Sequence, residues 1–214
     1  MLSADLLILR YSTSRIRLAQ HLGARENYLV FQADALVYFY KNIGTGSPKN
    51  SIISRQKRLK NLVFRPADAS DLVLIDQLSR VIFENYPNHY RANSRLPSEA
   101  IRDGYIEWAQ VGLRDAAKLT VIVENETEKP IGLALVAFDG DLAEIELNGI
   151  HPDAQGQGAY SALLEWLSNH LVERGVKKLC ISTQIQNERV IRAWIRSGFN
   201  LEFSLNTIHL MPRN

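Results

Sequence analysis

Apolar and polar positions along the chain repeat with two periods, and the changes between them divide it into strands and helices. Residues 6–10 form a short apolar strand segment, and residues 14–22 carry Ile16, Leu18, Ala19 and Leu22 at helical spacing. Residues 28–40 are rich in aromatic and β-branched side chains, so together these three segments predict a small β-α-β unit. Residues 42–60, with Gly44, Gly46, Ser47, Pro48, Ser51 and Ser54, read as a linker. Residues 62–65 then read as a strand, followed by a turn in which Ser70 or Asp71 caps a helix that runs to about Asn85 and is ended by Pro87. A second helix is predicted from Pro97 to Val111, with Ile101, Tyr105, Trp108 and Ala109 on one face. Strands follow at 119–124, 131–138 and 142–150, and the polar breaks between them are short enough for antiparallel hairpins. The remainder predicts a long amphipathic helix at 158–174, a strand at 178–183, a helix at 187–197 and two strands from Phe199 onward.

Of the 214 residues, 46% are apolar, enough for a packed core. Three regions emerge: a small α/β N-terminal domain at 1–46, a basic linker at 47–60 and a main domain at 61–214. Residues 1–60 hold ten basic and three acidic side chains and so carry +7, leaving −5 on the rest. The near balance overall excludes a surface designed throughout for nucleic acid. The run from Arg55 to Lys60 lacks interleaved aromatics and reads as solvated linker rather than a nucleic-acid patch. Cys180 is the only cysteine, so intrachain disulfides and cysteine-based metal clusters are excluded, and no metal is expected. The first ten residues have an acidic side chain where a secretory leader would be basic, and no apolar run is long enough to span a bilayer. The expectation is a cytoplasmic protein without a membrane anchor.

The segment Ile150-His151-Pro152-Asp153-Ala154-Gln155-Gly156-Gln157-Gly158-Ala159-Tyr160 joins a strand to a helix through two glycines. Such a loop lets backbone N–H groups converge, and the helix start adds partial positive charge, a combination suited to a diphosphate. The same glycines also suit a plain tight turn. The third glycine of a dinucleotide fingerprint and the Lys-Ser or Lys-Thr of a triphosphate loop are both missing.

Taken further, the segment resembles the GNAT superfamily pattern, hydrophobic-x-Pro-x-x-(Gln/Arg)-Gly-x-Gly-x-(Gly/Ala) followed by a small residue and a Leu-Leu pair, here Ser161-Ala162-Leu163-Leu164. Asn187 and Gly198-Phe199 match the superfamily's later signature at the right spacing. Two positions depart: Tyr160 stands where a small residue is usual, and Trp194 where the family places a thiolate-protonating tyrosine. The resemblance implies an α/β (α+β) fold with a mixed, mostly antiparallel central sheet flanked by helices, and acetyl-CoA as cosubstrate. It implies coenzyme contacts from Gly149, Ile150, Gln155, Gly156, Gln157, Gly158, Ala159, Tyr160, Asn187 and Trp194. It also implies that pantetheine lies where strands 142–150 and 178–183 splay.

Acetyl transfer to an amine needs a neutral amine, a polarised carbonyl and a stabilised leaving thiolate. Strict alternation in strand 142–150 puts Glu144, Glu146 and Asn148 on one face and Ile145 and Leu147 on the other. Either glutamate can serve as base, or both can simply face solvent; Glu144 falls where some superfamily members resembling this pattern carry the base. An indole N–H cannot give up its proton, so either the thiolate leaves unprotonated or His209, His89, Tyr90 or Tyr160 serves as donor, with a structural role also open for His209. The segment from Asn88 to Pro97, with Tyr105 and Trp108, resembles the dTDP-fucosamine acetyltransferase group of nucleotide-sugar N-acetyltransferases, as does the stretch from Asp34 to Tyr40. That resemblance implies a small-molecule amine acceptor, with Arg91 and Arg95 on its diphosphate, His89 or Tyr90 on the sugar, and Asn148 nearby. A peptide N-acetyltransferase and a silent coenzyme-binding module remain the alternatives, and a homodimer through terminal strands is consistent with the superfamily.

Overall fold

The computed structural model describes residues 5–44 and 62–213, so the basic linker expected at 47–60 lies outside the described residues. The strands are β1 (Leu7–Ser12), β2 (Tyr28–Asn42), β3 (Val63–Pro66), β4 (Leu119–Glu124), β5 (Pro130–Asp139), β6 (Leu142–Ile150), β7 (Lys178–Gln184) and β8 (Asn200–Pro212). The helices are α1 (Leu18–Gly23), α2 (Leu72–Phe83), α3 (Ser98–Arg114), α4 (Ala159–Glu173) and α5 (Glu188–Arg196). All eight strands join one sheet in the order β1-β8-β2-β7-β6-β5-β4-β3. Every neighbouring pair is antiparallel except β6 and β7, which run parallel with α4 as their crossover.

Each face of the sheet has its own apolar core. Ile75, Leu78 and Phe83 of α2 and Ile101, Tyr105 and Ala109 of α3 pack on Ile122, Leu133, Leu135 and Leu147. On the other face Leu163, Leu164, Leu167 and Leu171 of α4 and Trp194 of α5 pack on Val121, Ala134, Val136, Ala143, Ile145 and Ile181. The helical spacing of these residues is why α2, α3 and α4 form where the sequence predicts. Trp108 departs from its expected face and is 41% exposed, leaning on Tyr105 at 6.1 Å between ring centroids. The cap ahead of α2 is Asp68, which accepts from the Ser70 N–H at 2.8 Å, while Asp71 is held by Arg65 through two 2.8 Å bonds. Among the described residues no helix is long and apolar enough to cross a membrane.

Two sequence expectations change at the sheet. The strands of residues 1–46 build no sheet of their own, because β2 is inserted between β7 and β8 and β1 closes the edge beyond β8. A boundary near residue 46 therefore does not divide the core: Val37 and Phe39 of β2 belong to the same cluster as α4. The two strands expected after Phe199 are one 13-residue strand, β8. β2 lies between β7 and β8, a pairing that no local pattern encodes.

Candidate active site

β6 and β7 are paired only from Leu142 opposite Lys178 to Ile145 opposite Ile181. Beyond that point they part, while β6 stays paired to β5 and β7 to β2. The parting coincides with a bulge in β6: Leu135 faces Leu147 and Val136 faces Ile145, leaving Glu146 without an opposite residue. A bulge bends its strand and leaves backbone groups unpaired, so the gap presents two strand edges to an extended amide ligand.

The bulge also breaks the expected alternation. Ile145 faces the α4 core and Leu147 the α2–α3 core, so they lie on opposite faces. Asn148 pairs with Ala134 on the α4 side, whereas Glu144 pairs with Ala137 and points to the α2–α3 side. Asn148 is therefore separated from the glutamate with which the sequence grouped it. Glu146 is ion-paired to Lys118 at 2.6 Å. Glu144 is half-buried, and burial, then the charge of Glu146, raise its carboxyl above the ordinary value while Lys118 opposes them.

At the end of β6 the chain enters the glycine loop. Gly156 and Gly158 have φ of +79° and +94°, in the region that penalises every side chain. Gly158 immediately precedes α4, whose first turn receives no side-chain cap, leaving its N–H groups and helix dipole to an anion. Gln155 fastens the loop: its Nε2 donates to the Ile150 carbonyl at 3.0 Å and its Oε1 accepts from Arg189 at 3.2 Å. Gln157 donates to the Asp153 carbonyl at 3.1 Å, and Ala159 is buried beneath the loop. Arg189 on α5 thus brings a cation over the loop, which the sequence did not single out because its proximity depends on how α5 packs. Asn187 donates to Thr183 Oγ1 at 3.1 Å and fixes the turn out of β7. An extended gap, a positive-φ loop and an uncapped helix start in series fit pantetheine and diphosphate together.

The two departures from the superfamily pattern meet each other. Trp194 is 1% exposed, packs edge-on against Phe39, and donates its indole N–H to the Tyr160 hydroxyl at 2.7 Å. Its side chain is core, reaching the loop side only through Tyr160. Burial pushes the Tyr160 phenol well up, so it keeps its proton near neutral pH and retains an O–H to donate.

The acetyltransferase (GNAT) family matches residues 77–199, more than half of the chain, including β6, β7, the gap between them and the glycine loop. The chain belongs to that family. Among solved structures it is similar to a GCN5-related N-acetyltransferase from Sphaerobacter thermophilus, with a TM-score of 0.68 and 14% identity over 98% of this chain and 60% of that one. It spans, in other words, about three-fifths of that protein's length. A conserved protein of unknown function from Staphylococcus epidermidis matches with a TM-score of 0.61 and 10% identity over 99% of this chain and 74% of that one. PaiA N-acetyltransferase from Thermoplasma acidophilum, solved with coenzyme A, matches at 0.56 and 16% over 71% of this chain and 99% of its own. At these identities the likeness is one of fold.

In this GNAT chain the loop between α2 and α3 is turned inward. His89 and His209 are 3% and 0% exposed and joined through His89 Nδ1 and His209 Nε2 at 2.9 Å. Arg10 donates to His89 Nε2 at 3.2 Å, and Asn93 lies 3.4 Å from His209 Nδ1. Burial, then the Arg10 charge, lower His89 to about 4, and burial lowers His209. β2 lies between β8 and β7, so His209 is screened from the gap and serves to dock the loop on the sheet. Tyr90 lies against His89 with the rings tilted by 36° and their centroids 3.9 Å apart. Arg91 is also spent structurally, donating to the backbone carbonyls of Tyr86 and Glu84 at the end of α2. Arg95 remains open, beside a shallow hollow lined by Asp5, Leu6, Asn93 and Met211. Tyr86, unremarked in the sequence, reaches the end of β7, where its hydroxyl lies 3.0 Å from Thr183 Oγ1 and donates to Gln184 Oε1 at 2.8 Å.

Proposed function

We propose that this chain transfers an acetyl group from acetyl-CoA to a primary amine, and that the amine is carried by a nucleotide-linked amino-deoxy sugar. The observation that carries the transferase reading is the gap between β6 and β7 leading into the Gly156–Gly158 loop at the start of α4. Acetyl-CoA supplies an activated thioester when bound. Glu144, half-buried and in no ion pair among the described residues, takes the amine proton; Glu146 is neutralised by Lys118 and is the weaker base. The backbone N–H of Ile150, which points away from β5 and so toward the gap, offers a donor for a polarised carbonyl. The Tyr160 hydroxyl, oriented by Trp194, holds a proton for a leaving sulfur.

The sugar part of the reading rests on the resemblance of residues 88–97, Tyr105 and Trp108, with Arg95 the exposed cation left for a diphosphate. A lone buried thiol, Cys180, suits our placement of the enzyme in a reducing cytoplasm. Leu7, Ile8 and Leu9 are exposed on the edge strand β1, which supports a homodimer through that edge; sedimentation velocity tests it. The activity is tested by coenzyme A release with a panel of dTDP-linked amino sugars, polyamines and peptides. Turnover with the sugars alone is the expected outcome. Turnover with peptides alone would replace it with a peptide acetyltransferase, and binding without turnover would mark a silent coenzyme-binding module.

A further inference from the structure

Beside Glu144 the sheet carries aromatic side chains that the transfer chemistry above leaves unused. Glu144 pairs with Cys180, Cys180 with Tyr40 and Tyr40 with Asn200, so these four stand in one row across β6, β7, β2 and β8. Two residues on, past the point where β6 and β7 part, Ser182 pairs with Tyr38 and Tyr38 with Phe203. Side chains of paired residues, and of residues two apart on one strand, share a face, so both rows stand on the side of Glu144. Phe39, between the two tyrosines, packs in the α4 core, which makes this the face opposite the glycine loop.

Among the described residues no helix covers these rings. Tyr38, Tyr40 and Phe203 belong to neither apolar core; both tyrosines are half-buried, and Phe203 is 41% exposed. Together they form a shelf. Tyr38 stacks on Phe203 with centroids 4.5 Å and planes 16° apart, and Tyr40 lies 6.4 Å from Phe203. Lys178 sits 4.1 Å from the Tyr40 centroid and takes up the affinity of that ring for a cation, which leaves Tyr38 and Phe203 as a neutral apolar surface. Between the shelf and β6 the floor is made of small side chains, the buried Cys180 and the half-buried Ser182. β6 and β2 are two strand spacings apart, roughly 10 Å, which is width for one saturated ring between Glu144 and the aromatic surface. Burial, then the charge of Glu144, raise the Tyr38 phenol, in keeping with a carboxylate and a phenol that face the same space.

We propose that Tyr38 and Phe203 seat the apolar face of the acceptor's ring and so place the amine that the ring carries at Glu144. A deoxy-sugar ring has such a face, because each missing hydroxyl leaves C–H surface that gains from aromatic cover. Both seat residues lie outside residues 77–199, the stretch that matches the family, so strands added around the family core set which amine is taken. The assignment rests on the amino-sugar reading above, and its test separates the two. With the full chain and the dTDP-linked amino sugar that turns over fastest, Phe203→Ser is expected to raise the sugar KM roughly fivefold or more, with kcat and the acetyl-CoA KM within about twofold. Phe203→Tyr keeps the ring and with it the native KM. A sugar KM equal in Phe203→Ser and the native chain overturns the proposal. So does an acetyl-CoA KM that rises in step, which would make Phe203 a structural residue. Should no amino sugar turn over, it is the sugar reading that has failed, and the seat is then tested directly. The ring resonances of Phe203, assigned in the NMR spectrum by their loss in Phe203→Ser, are expected to shift with cyclohexylammonium chloride and far less with ethanolammonium chloride at the same concentration. Resonances indifferent to cyclohexylammonium, or displaced equally by both amines, overturn the proposal.

Discussion

Glu144 and Glu146 are the same residue type two positions apart, and their surroundings give them different chemistry. Lys118 neutralises Glu146 at 2.6 Å, whereas Glu144 is half-buried and raised by burial and by its neighbour's charge. Glu144→Gln is expected to lower kcat roughly 10²- to 10⁴-fold and to remove the acidic limb of the pH–rate profile. Lys118→Met removes a cation that favours ionised Glu144 and frees the charge of Glu146, so both effects raise the Glu144 carboxyl further. The acidic limb should then move to higher pH; a limb that stays in place in steady-state profiles would exclude Glu144 as the base. The sequence identified both glutamates as candidates but assigned their faces by strict alternation. The bulge at Glu146 reversed that assignment for Leu147 and Asn148, because one unpaired residue shifts every later side chain to the other face.

Among the elements, the run from β6 through the glycine loop into α4 was the most legible, since its turn needs φ values that only glycine adopts without strain. Gly158→Glu is expected to abolish acetyl-CoA binding in calorimetry by setting a carboxylate against the helix start. Gly158→Ala carries only the conformational cost, about 1–2 kcal/mol, and separates that strain from charge repulsion. Gly112 shows a constraint no local pattern announces. A Cβ there would come within 2.3 Å of Leu135, so α3 lies directly against β5 at that point. Gly112→Val should lower the melting temperature by overpacking this contact, read by calorimetric unfolding.

At the scale of the molecule, the N-terminal strands complete the sheet. A chain beginning at residue 62 would lose β1 and β2, leave β7 with one bare edge and β8 with neither neighbour, and expose the core residues that Val37 and Phe39 cover. Such a chain is expected to aggregate rather than fold, as size-exclusion chromatography after refolding would show; a folded monomer would restore the separate-domain view. The buried histidine pair gives the whole fold an acid response. His89 falls from about 6.5 in an unfolded chain to about 4 in the fold, so between those values the unfolded chain binds more protons. Its contribution is fully present above about pH 6.5 and is lost as pH falls toward 4. His89→Gln should flatten stability measured by denaturant titration across that window. The sequence by itself determined the element types, the glycine loop and the family resemblance, because backbone propensity, side-chain period and positive φ are local properties. Tertiary structure alone decided which strand lies beside β7, which glutamate Lys118 neutralises, and that Tyr38 and Phe203 share a sheet face with Glu144. Those depend on pairings between residues far apart in the chain, where register is fixed by burial of whole faces and not by the residues that meet.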